Sequence, residues 1–189
     1  VDIRDSTTLF KGKKSTVSKM IRCFTSEVIE IFRKDVRMRE VGIQGDCVYG
    51  VFSTPKKEDT CDLFDLAIYV NTLMKMLNAL FKNKGLNPLK VGIGVAASQD
   101  LVVKAGRKNS GINNKVWIGE AVTTASNLSS YGSKEEYTSN PIVISPFTYK
   151  SIIAKYLERH GQKASYWFTK YTFEDEVVYA CNTIKADMN

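Results

Sequence analysis

The chain has 189 residues, of which 43% are hydrophobic and 25% are charged, and its formal net charge is +7. These values are typical of one globular domain, here residues 1–189, and they exclude intrinsically disordered and fibrous proteins. The longest apolar runs, such as 91–97, are far shorter than the ~20 residues of a membrane-spanning helix, so we expect a soluble, cytoplasmic protein with no membrane partner.

The first half of the chain predicts two helices separated by a β-hairpin. Apolar residues spaced three and four apart over 15–32 predict an amphipathic helix. Two strands over 38–52 flank Gly45-Asp46, a pair that is typical of a tight hairpin turn. A second apolar stripe over 63–81, which stops near Gly85, predicts the longest helix.

The second half predicts further strands and two more helices. A strand at 90–98 is expected to form a hairpin with 101–105. A polar, basic and glycine-rich stretch at 106–115 predicts an exposed loop. The remaining predicted elements are a strand at 116–118, a helix from 119 to about 132, a strand at 142–144, a helix opened by Ser145-Pro146, and strands near 166–169 and 177–182. This order favours an α+β sandwich, with helices on one face of a mainly antiparallel sheet.

Two carboxylates stand where a rigid scaffold could aim them at one point. Asp2 ends a strand that runs into a helix N-terminus, and Asp46 lies at the tip of the first hairpin. If these strands are neighbours, the two carboxylates can hold Mg²⁺, which takes oxygen ligands and bridges to substrate phosphates. From spacing alone the alternative stays open that Asp46 is a turn residue and that Asp2 or Asp5 caps a helix.

Read together and in order, the motifs of this chain resemble those of class III nucleotidyl cyclases over nearly its whole length. Residues 1–7 resemble the first metal-binding motif of the family, and Gly45-Asp46 with 48–52 resembles the second. The later matching segments are 91–95, 101–106, 117–126 and 144–149. The resemblance implies a class III cyclase fold with a ferredoxin-like core, active as a homodimer with sites shared across its interface.

In that family one subunit supplies two carboxylates to two Mg²⁺ or Mn²⁺ ions per site. Asp2 and Asp46 match these positions, and the resemblance implies that the backbone carbonyl of Ile3 completes the shell. Ser6 and Thr7, at the start of the following helix, are expected to lie near the triphosphate of the substrate. The ions then promote an in-line attack of the ribose 3′-hydroxyl on the α-phosphate, which yields the 3′,5′-cyclic nucleotide and pyrophosphate.

Two positions depart from the purine-specific members of the family. Where adenylyl cyclases carry Lys and guanylyl cyclases Glu, this chain has Gly42, and where those enzymes carry Asp or Cys it has Val116. Neither side chain can form a hydrogen bond with a base, which indicates a different base or a degenerate site. Tyr49, Gln44 and Arg39 are candidates to contact a smaller ring.

Two further positions concern the ribose and the transition state. The ribose-orienting Asn of the family falls on Thr123, and its transition-state Arg falls on Asn127. A basic stretch that includes Lys104 and Arg107 could supply a substitute cation. The alternative that these are solvated loop residues stays open.

A one-domain cyclase without the purine-reading pair resembles the pyrimidine cyclases of bacterial Pycsar anti-phage systems, whose cyclic UMP or cyclic CMP switches on a separate effector. We therefore expect cyclisation of UTP or CTP, with UTP slightly favoured. The open alternatives are an adenylyl or guanylyl cyclase with an atypical base pocket, a nucleotide-binding pseudocyclase, and a basic nucleic-acid-binding domain. The charge of +7 suits a triphosphate better than a nucleic acid, so no nucleic-acid partner is expected. Because the family has most of a strand before the metal Asp, a few residues are expected to precede Val1.

Overall fold

The computed structural model of the protein describes residues 1–9, 13–106, 113–161 and 163–186. Its helices are α1 (Ser6–Leu9), α2 (Lys14–Arg33), α3 (Lys57–Asn83), α4 (Ala121–Tyr131) and α5 (Pro146–His160), followed by a short 3-10 helix at Ala164–Trp167. Its strands are β1 (Asp2–Ile3), β2 (Met38–Gln44), β3 (Cys47–Phe52), β4 (Val91–Val95), β5 (Leu101–Gly106), β6 (Asn113–Ile118), β7 (Ile142–Ile144), β8 (Thr169–Phe173) and β9 (Glu176–Cys181). Across these described segments, no helix is both long enough and apolar enough to cross a bilayer.

Seven of the strands form one sheet, in the order β2-β3-β1-β4-β7-β9-β8. Only β4 and β7 run parallel within it, and the other neighbours are antiparallel. β5 and β6 form a separate two-stranded sheet. The expected α+β sandwich with a mainly antiparallel sheet is therefore confirmed.

The alternation of side chains along β4 shows which helices cover which face of the sheet. Val91, Ile93 and Val95 belong to the main core, which also contains buried side chains of α2, α3 and α5. Gly92 and Gly94 occupy the opposite face of β4. Because they have no side chains, the backbone of α4 can approach closely. The expectation of helices on one face is thus wrong for α4, because two glycines leave room for a helix on the opposite face.

Three of the predictions about strands and loops differ from the structure. β5 pairs with β6 and not with β4, because both edges of β4 are already bonded to β1 and β7. The loop predicted at 106–115 is strand at both ends, since Gly106 pairs with Asn113, and residues 107–112 lie outside the described part of the chain. Near the C-terminus, the strand predicted at 166–169 begins only at Thr169.

Local sequence accounts for the helix boundaries that position the site. The buried face of α2 repeats every three or four residues, as predicted: Val17, Met20, Phe24, Val28 and Phe32. At the start of α5 the Ser145 hydroxyl accepts a hydrogen bond from the Thr148 backbone N–H at 3.3 Å, with proline at the first helical position. This confirms the predicted start of α5.

Candidate active site

Asp2 and Asp46 come together because β1 lies between β3 and β4. Asp2 is directly opposite Cys47 on β3 and Gly92 on β4, so its side chain is on the face of the sheet that α4 also covers. Asp46 lies in the turn between β2 and β3, where Gly45 adopts a φ of +63°. Asp46 is adjacent to the residue that pairs with Asp2, and its negative charge contributes to the raised pKa of Asp2.

Burial and two neighbouring charged side chains are the strongest influences on the Asp2 carboxyl group. Its burial is the largest and raises the pKa, the Arg4 guanidinium lowers it, and the charge of Asp46 raises it, so that the pKa lies above its ordinary value. A divalent cation would relieve the repulsion between the two carboxylates. Among the described residues, no group of three or more His, Cys, Asp or Glu side chains could hold a metal ion. An ion here would therefore share two carboxylates with backbone, substrate or solvent oxygens, a donor set that fits Mg²⁺ or Mn²⁺.

Arg4 joins this site to the end of α4. Its Nη2 donates to Asp2 Oδ2 at 2.8 Å and to the Ser129 carbonyl at 2.6 Å, and its Nη1 donates to the Ser130 carbonyl at 3.1 Å. Arg4 Nε is buried and has no partner among the described residues. No motif in the sequence marks this role of Arg4, although residues two apart in an extended chain share a face.

The candidate base-reading position Gly42 is covered by an aromatic ring. Gly42 and Tyr49 are directly opposite each other in the β2–β3 ladder. A Cβ atom built on Gly42 would lie 2.5 Å from Tyr49 Cζ, far inside van der Waals contact. Tyr49 therefore fills the space that a side chain at position 42 would need.

A single carboxylate holds Tyr49 and joins the two hairpins. The Tyr49 hydroxyl donates to Glu40 Oε1 at 2.9 Å, and the Trp117 indole Nε1 donates to Glu40 Oε2 at 2.8 Å. We call Glu40, Tyr49 and Trp117 the Glu40 cluster. No motif in the sequence marks Glu40, although its position two residues before Gly42 places it on the same face of β2. The contact with Trp117, which is 77 residues further along the chain, has no local signal.

The other candidates for base contact lie on the same two hairpins but are not members of this cluster. Val116 on β6 is 43% exposed. Gln44 is exposed at the end of β2. Arg39 Nε donates to the Ser53 hydroxyl at 2.7 Å. Of the proposed base-reading residues, Gly42 and Tyr49 are thus the pair that the fold places in contact.

The remaining predicted site residues occupy three places. Ile3 is buried beside Asp2, and Ser6 is half-buried at the start of α1. Thr123 and Asn127 are exposed one turn apart on α4, and no hydrogen bond of the described residues joins either side chain to Asp2 or Asp46. The candidates outside the description are Arg107 and the side chains of Thr7 and Lys104.

Two curated proteins are similar to this chain. A uridylate cyclase from Treponema porcinum is 50% identical over 190 residues, which cover 100% of this chain and 64% of that protein. A uridylate cyclase from Gulbenkiania mobilis is 33% identical over 174 residues, which cover 88% of this chain and 67% of that protein. The chain thus spans about two thirds of the length of these relatives. No family model matches the chain.

Solved structures share the fold at low sequence identity. The crystal structure of the guanylyl cyclase Cya2 has a TM-score of 0.71 at 18% identity and covers 100% of this chain and 91% of its own. A bacterial light-regulated adenylyl cyclase has a TM-score of 0.73 at 18% identity, with 99% of this chain and 89% of its own covered. This likeness confirms the expected class III cyclase fold.

Proposed function

The chain belongs to the uridylate cyclase group of the class III nucleotidyl cyclases, and on this premise we propose that it cyclises a pyrimidine nucleoside triphosphate. UTP is the preferred substrate over CTP, and the products are the 3′,5′-cyclic nucleotide and pyrophosphate. The observation that carries the proposal is the Tyr49 ring packed over Gly42, on the same face of the sheet as Asp2.

The Tyr49 ring over Gly42 can discriminate between nucleotides by the size of their base. A purine has two fused rings and a pyrimidine one, so a pocket narrowed by an aromatic side chain rejects the purine by steric overlap. Tyr49 occupies the space at Gly42, and neither Gly42 nor Val116 offers a hydrogen-bonding side chain to a purine. The names of the two relatives support UTP over CTP.

We propose the following roles for the chain's own groups in the reaction. Asp2, Asp46 and the carbonyl of Ile3 would hold the ions, and Ser6 and Thr7, the first two residues of α1, would contact the triphosphate. Bound Mg²⁺ or Mn²⁺, two ions per site, would polarise the α-phosphate, favour ionisation of the ribose 3′-hydroxyl and neutralise the pyrophosphate. Arg4 fixes the orientation of Asp2.

We further propose that the active unit is a homodimer whose two sites are each completed by the partner. Thr123 and Asn127 are exposed on α4, and no hydrogen bond among the described residues joins their side chains to Asp2 or Asp46, which suits a role in the partner's site. Lys104 and Arg107, on or next to β5, are proposed to supply the cation that Asn127 cannot. The cyclic nucleotide then acts as a messenger that switches on a separate effector in anti-phage defence.

The test is incubation of the protein with each of the four ribonucleoside triphosphates and Mn²⁺, followed by separation of the products. Cyclic UMP as the main product supports the proposal, and cyclic CMP as the main product would revise the base preference. Cyclic AMP or cyclic GMP would show a purine cyclase. Tight nucleotide binding without turnover would show a pseudocyclase.

The metal site is tested by Asp46→Ala. Because this change removes one of two charged ligands, we expect turnover to fall by at least about 10²-fold, and a chelator to abolish wild-type turnover. The matched control is Asp175→Asn, an exposed carboxylate in the turn between β8 and β9. Full activity of Asp46→Ala, or an equal loss in both variants, would contradict the assignment.

A further inference from the structure

The Glu40 cluster connects two hairpins that belong to separate sheets in the described part of the chain. Glu40 and Tyr49 belong to the β2–β3 hairpin, whereas Trp117 belongs to the separate β5–β6 hairpin. The two carboxylate oxygens of Glu40 each accept one hydrogen bond, at 2.9 Å from the Tyr49 hydroxyl and at 2.8 Å from the Trp117 indole. The position of the Tyr49 ring therefore depends on a side chain that is not itself the base reader.

We propose that Glu40 is a positioning residue for base discrimination, which holds the Tyr49 ring over Gly42 and fixes the β5–β6 hairpin against β2. This inference rests on the proposed cyclase function, whose base selectivity it explains. Tyr49 is only half-buried, and Gly42, directly opposite it, has no side chain to pack against the ring. The hydrogen bond to Glu40 thus restricts a side chain that could otherwise adopt other rotamers.

An ionised carboxylate suits this role because it only accepts hydrogen bonds and has two oxygens. The Trp117 indole is a donor without acceptor capacity, so it needs an oxygen facing it. The Tyr49 hydroxyl also donates to Glu40, and this bond is the largest cause of the raised pKa of Tyr49. The hydroxyl therefore keeps its proton, and with it the bond, through neutral pH.

Three variants test whether Glu40 acts by positioning the Tyr49 ring. Glu40→Leu removes both acceptors. Tyr49→Phe keeps the ring and removes only the hydroxyl. Glu40→Gln is the conservative rescue, because its amide oxygen can accept from Trp117 while its NH₂ group donates to the Tyr49 hydroxyl oxygen. Glu176→Leu on β9 is the matched control, since it removes an exposed strand carboxylate outside the cluster.

The first measurement is kcat/KM for UTP divided by kcat/KM for ATP. We expect Glu40→Leu and Tyr49→Phe to lower this ratio by about tenfold, mainly through a lower KM for ATP, because a Tyr49 ring that is no longer held over Gly42 excludes the purine less well. Glu40→Gln and Glu176→Leu should stay near the wild-type ratio. A wild-type ratio in Glu40→Leu, or an equal loss in Glu40→Gln, would overturn the inference.

The second measurement needs no turnover. The chain has two tryptophans, so Trp167→Phe leaves Trp117 as the fluorescent reporter of the cluster. In that background we expect Glu40→Leu to shift the Trp117 emission and increase its quenching by acrylamide, and Glu40→Gln to restore both. The same signal measures UTP and ATP affinity. If the wild type cyclises no nucleotide, the proposed function fails, whereas an unchanged emission together with an unchanged UTP-to-ATP affinity ratio in Glu40→Leu overturns this inference.

Discussion

The half-buried carboxylate of Asp2 interacts with the negative charge of Asp46 and with the positive charge of Arg4. Asp46 repels it, and Arg4 binds it while also holding two carbonyls at the end of α4. Removal of Arg4 would leave Asp2 without its cation and the Ser129 and Ser130 carbonyls without their donors. Such groups are costly when they lose a partner away from water.

We therefore expect Arg4→Met to lower the free energy of unfolding by about 1–3 kcal/mol. Urea denaturation at neutral pH measures this change. The control is Lys134→Met, which removes an exposed cation that pairs with Glu136 and lies 4.7 Å from the centroid of the Tyr137 ring, and it should alter stability by less than about 1 kcal/mol. Equal stability of the two variants would contradict the structural role of Arg4.

At the scale of elements, one arginine ties the segment after α2 to the start of α3. Arg37 Nη2 donates to Asp35 Oδ2 at 2.6 Å, and its Nη1 donates to Asp59 Oδ1 at 2.9 Å and to Asp62. Asp59 also accepts from the Lys56 backbone N–H at 2.9 Å at the N-terminus of α3. The direction in which β2 leaves α2 is thus fixed by charge as well as by the core.

This network makes part of the stability dependent on pH. Hydrogen bonds from Arg37 hold the pKa of Asp35 below its ordinary 3.8. Because the folded pKa is the lower one, this stabilisation is fully present above about pH 3.8 and is lost as the pH falls through the folded value. We expect Arg37→Met to lower the unfolding free energy at pH 7 by about 1–3 kcal/mol and to flatten its decline in acid.

Denaturant titrations between pH 2 and 7 would measure both effects. Arg22→Met, at an exposed position on α2, is the matched control and should follow the wild-type profile. An acid profile of Arg37→Met that parallels the wild type would show that Asp35 is not stabilised by this pair.

The close packing of α4 on β4 depends on the glycines of β4. A Cβ atom on Gly94 would lie 1.9 Å from the Ala125 carbonyl oxygen, which is backbone and cannot turn aside. We expect Gly94→Ala to destabilise the fold by about 1–3 kcal/mol or to displace α4, and with it Thr123 and Asn127. Thermal unfolding and turnover test this together, and a variant unchanged in both would show that α4 is not seated closely on β4.

At the scale of the whole molecule, the β5–β6 hairpin presents an apolar face to solvent. Leu101 and Ile118 are cross-strand partners that are 62% and 55% exposed, and Val103 and Val116 form the next pair on the same face. A second copy of this chain is the partner that the proposed shared site requires, and its contact would bury this face.

We expect the double change Leu101→Glu with Ile118→Glu to convert a dimer into a monomer and to abolish turnover. Light scattering gives the mass, and turnover measured over a range of protein concentrations gives the functional unit. Val36→Glu, at a position that is 93% exposed after α2, is the control and should leave both unchanged. A wild-type protein that is active as a monomer would contradict a shared site.

Local signals in the sequence predict most of the helices and strands, and they include the motifs that contain Asp2 and Asp46. Helix stripes, the cap at Ser145 and the Gly45-Asp46 turn are local signals, because they depend on periodicity and backbone preferences within a few residues. Asp2 and Asp46 are recognisable from their motifs, and the strand order places β1 beside β3, so that the charge of Asp46 acts on Asp2.

The strand pairings, and the helix that covers each face of the sheet, depend on the tertiary structure and are not predicted by local sequence. Periodicity shows that a face of β4 is buried but not which helix covers it, and an apolar strand does not specify its partner. β5 pairs with β6 because β4 has no free edge, and α4 covers the face on which β4 carries glycines. Likewise Glu40 is an ordinary polar strand residue in the sequence, and it gains a role only where folding brings Tyr49 and Trp117 to its two oxygens.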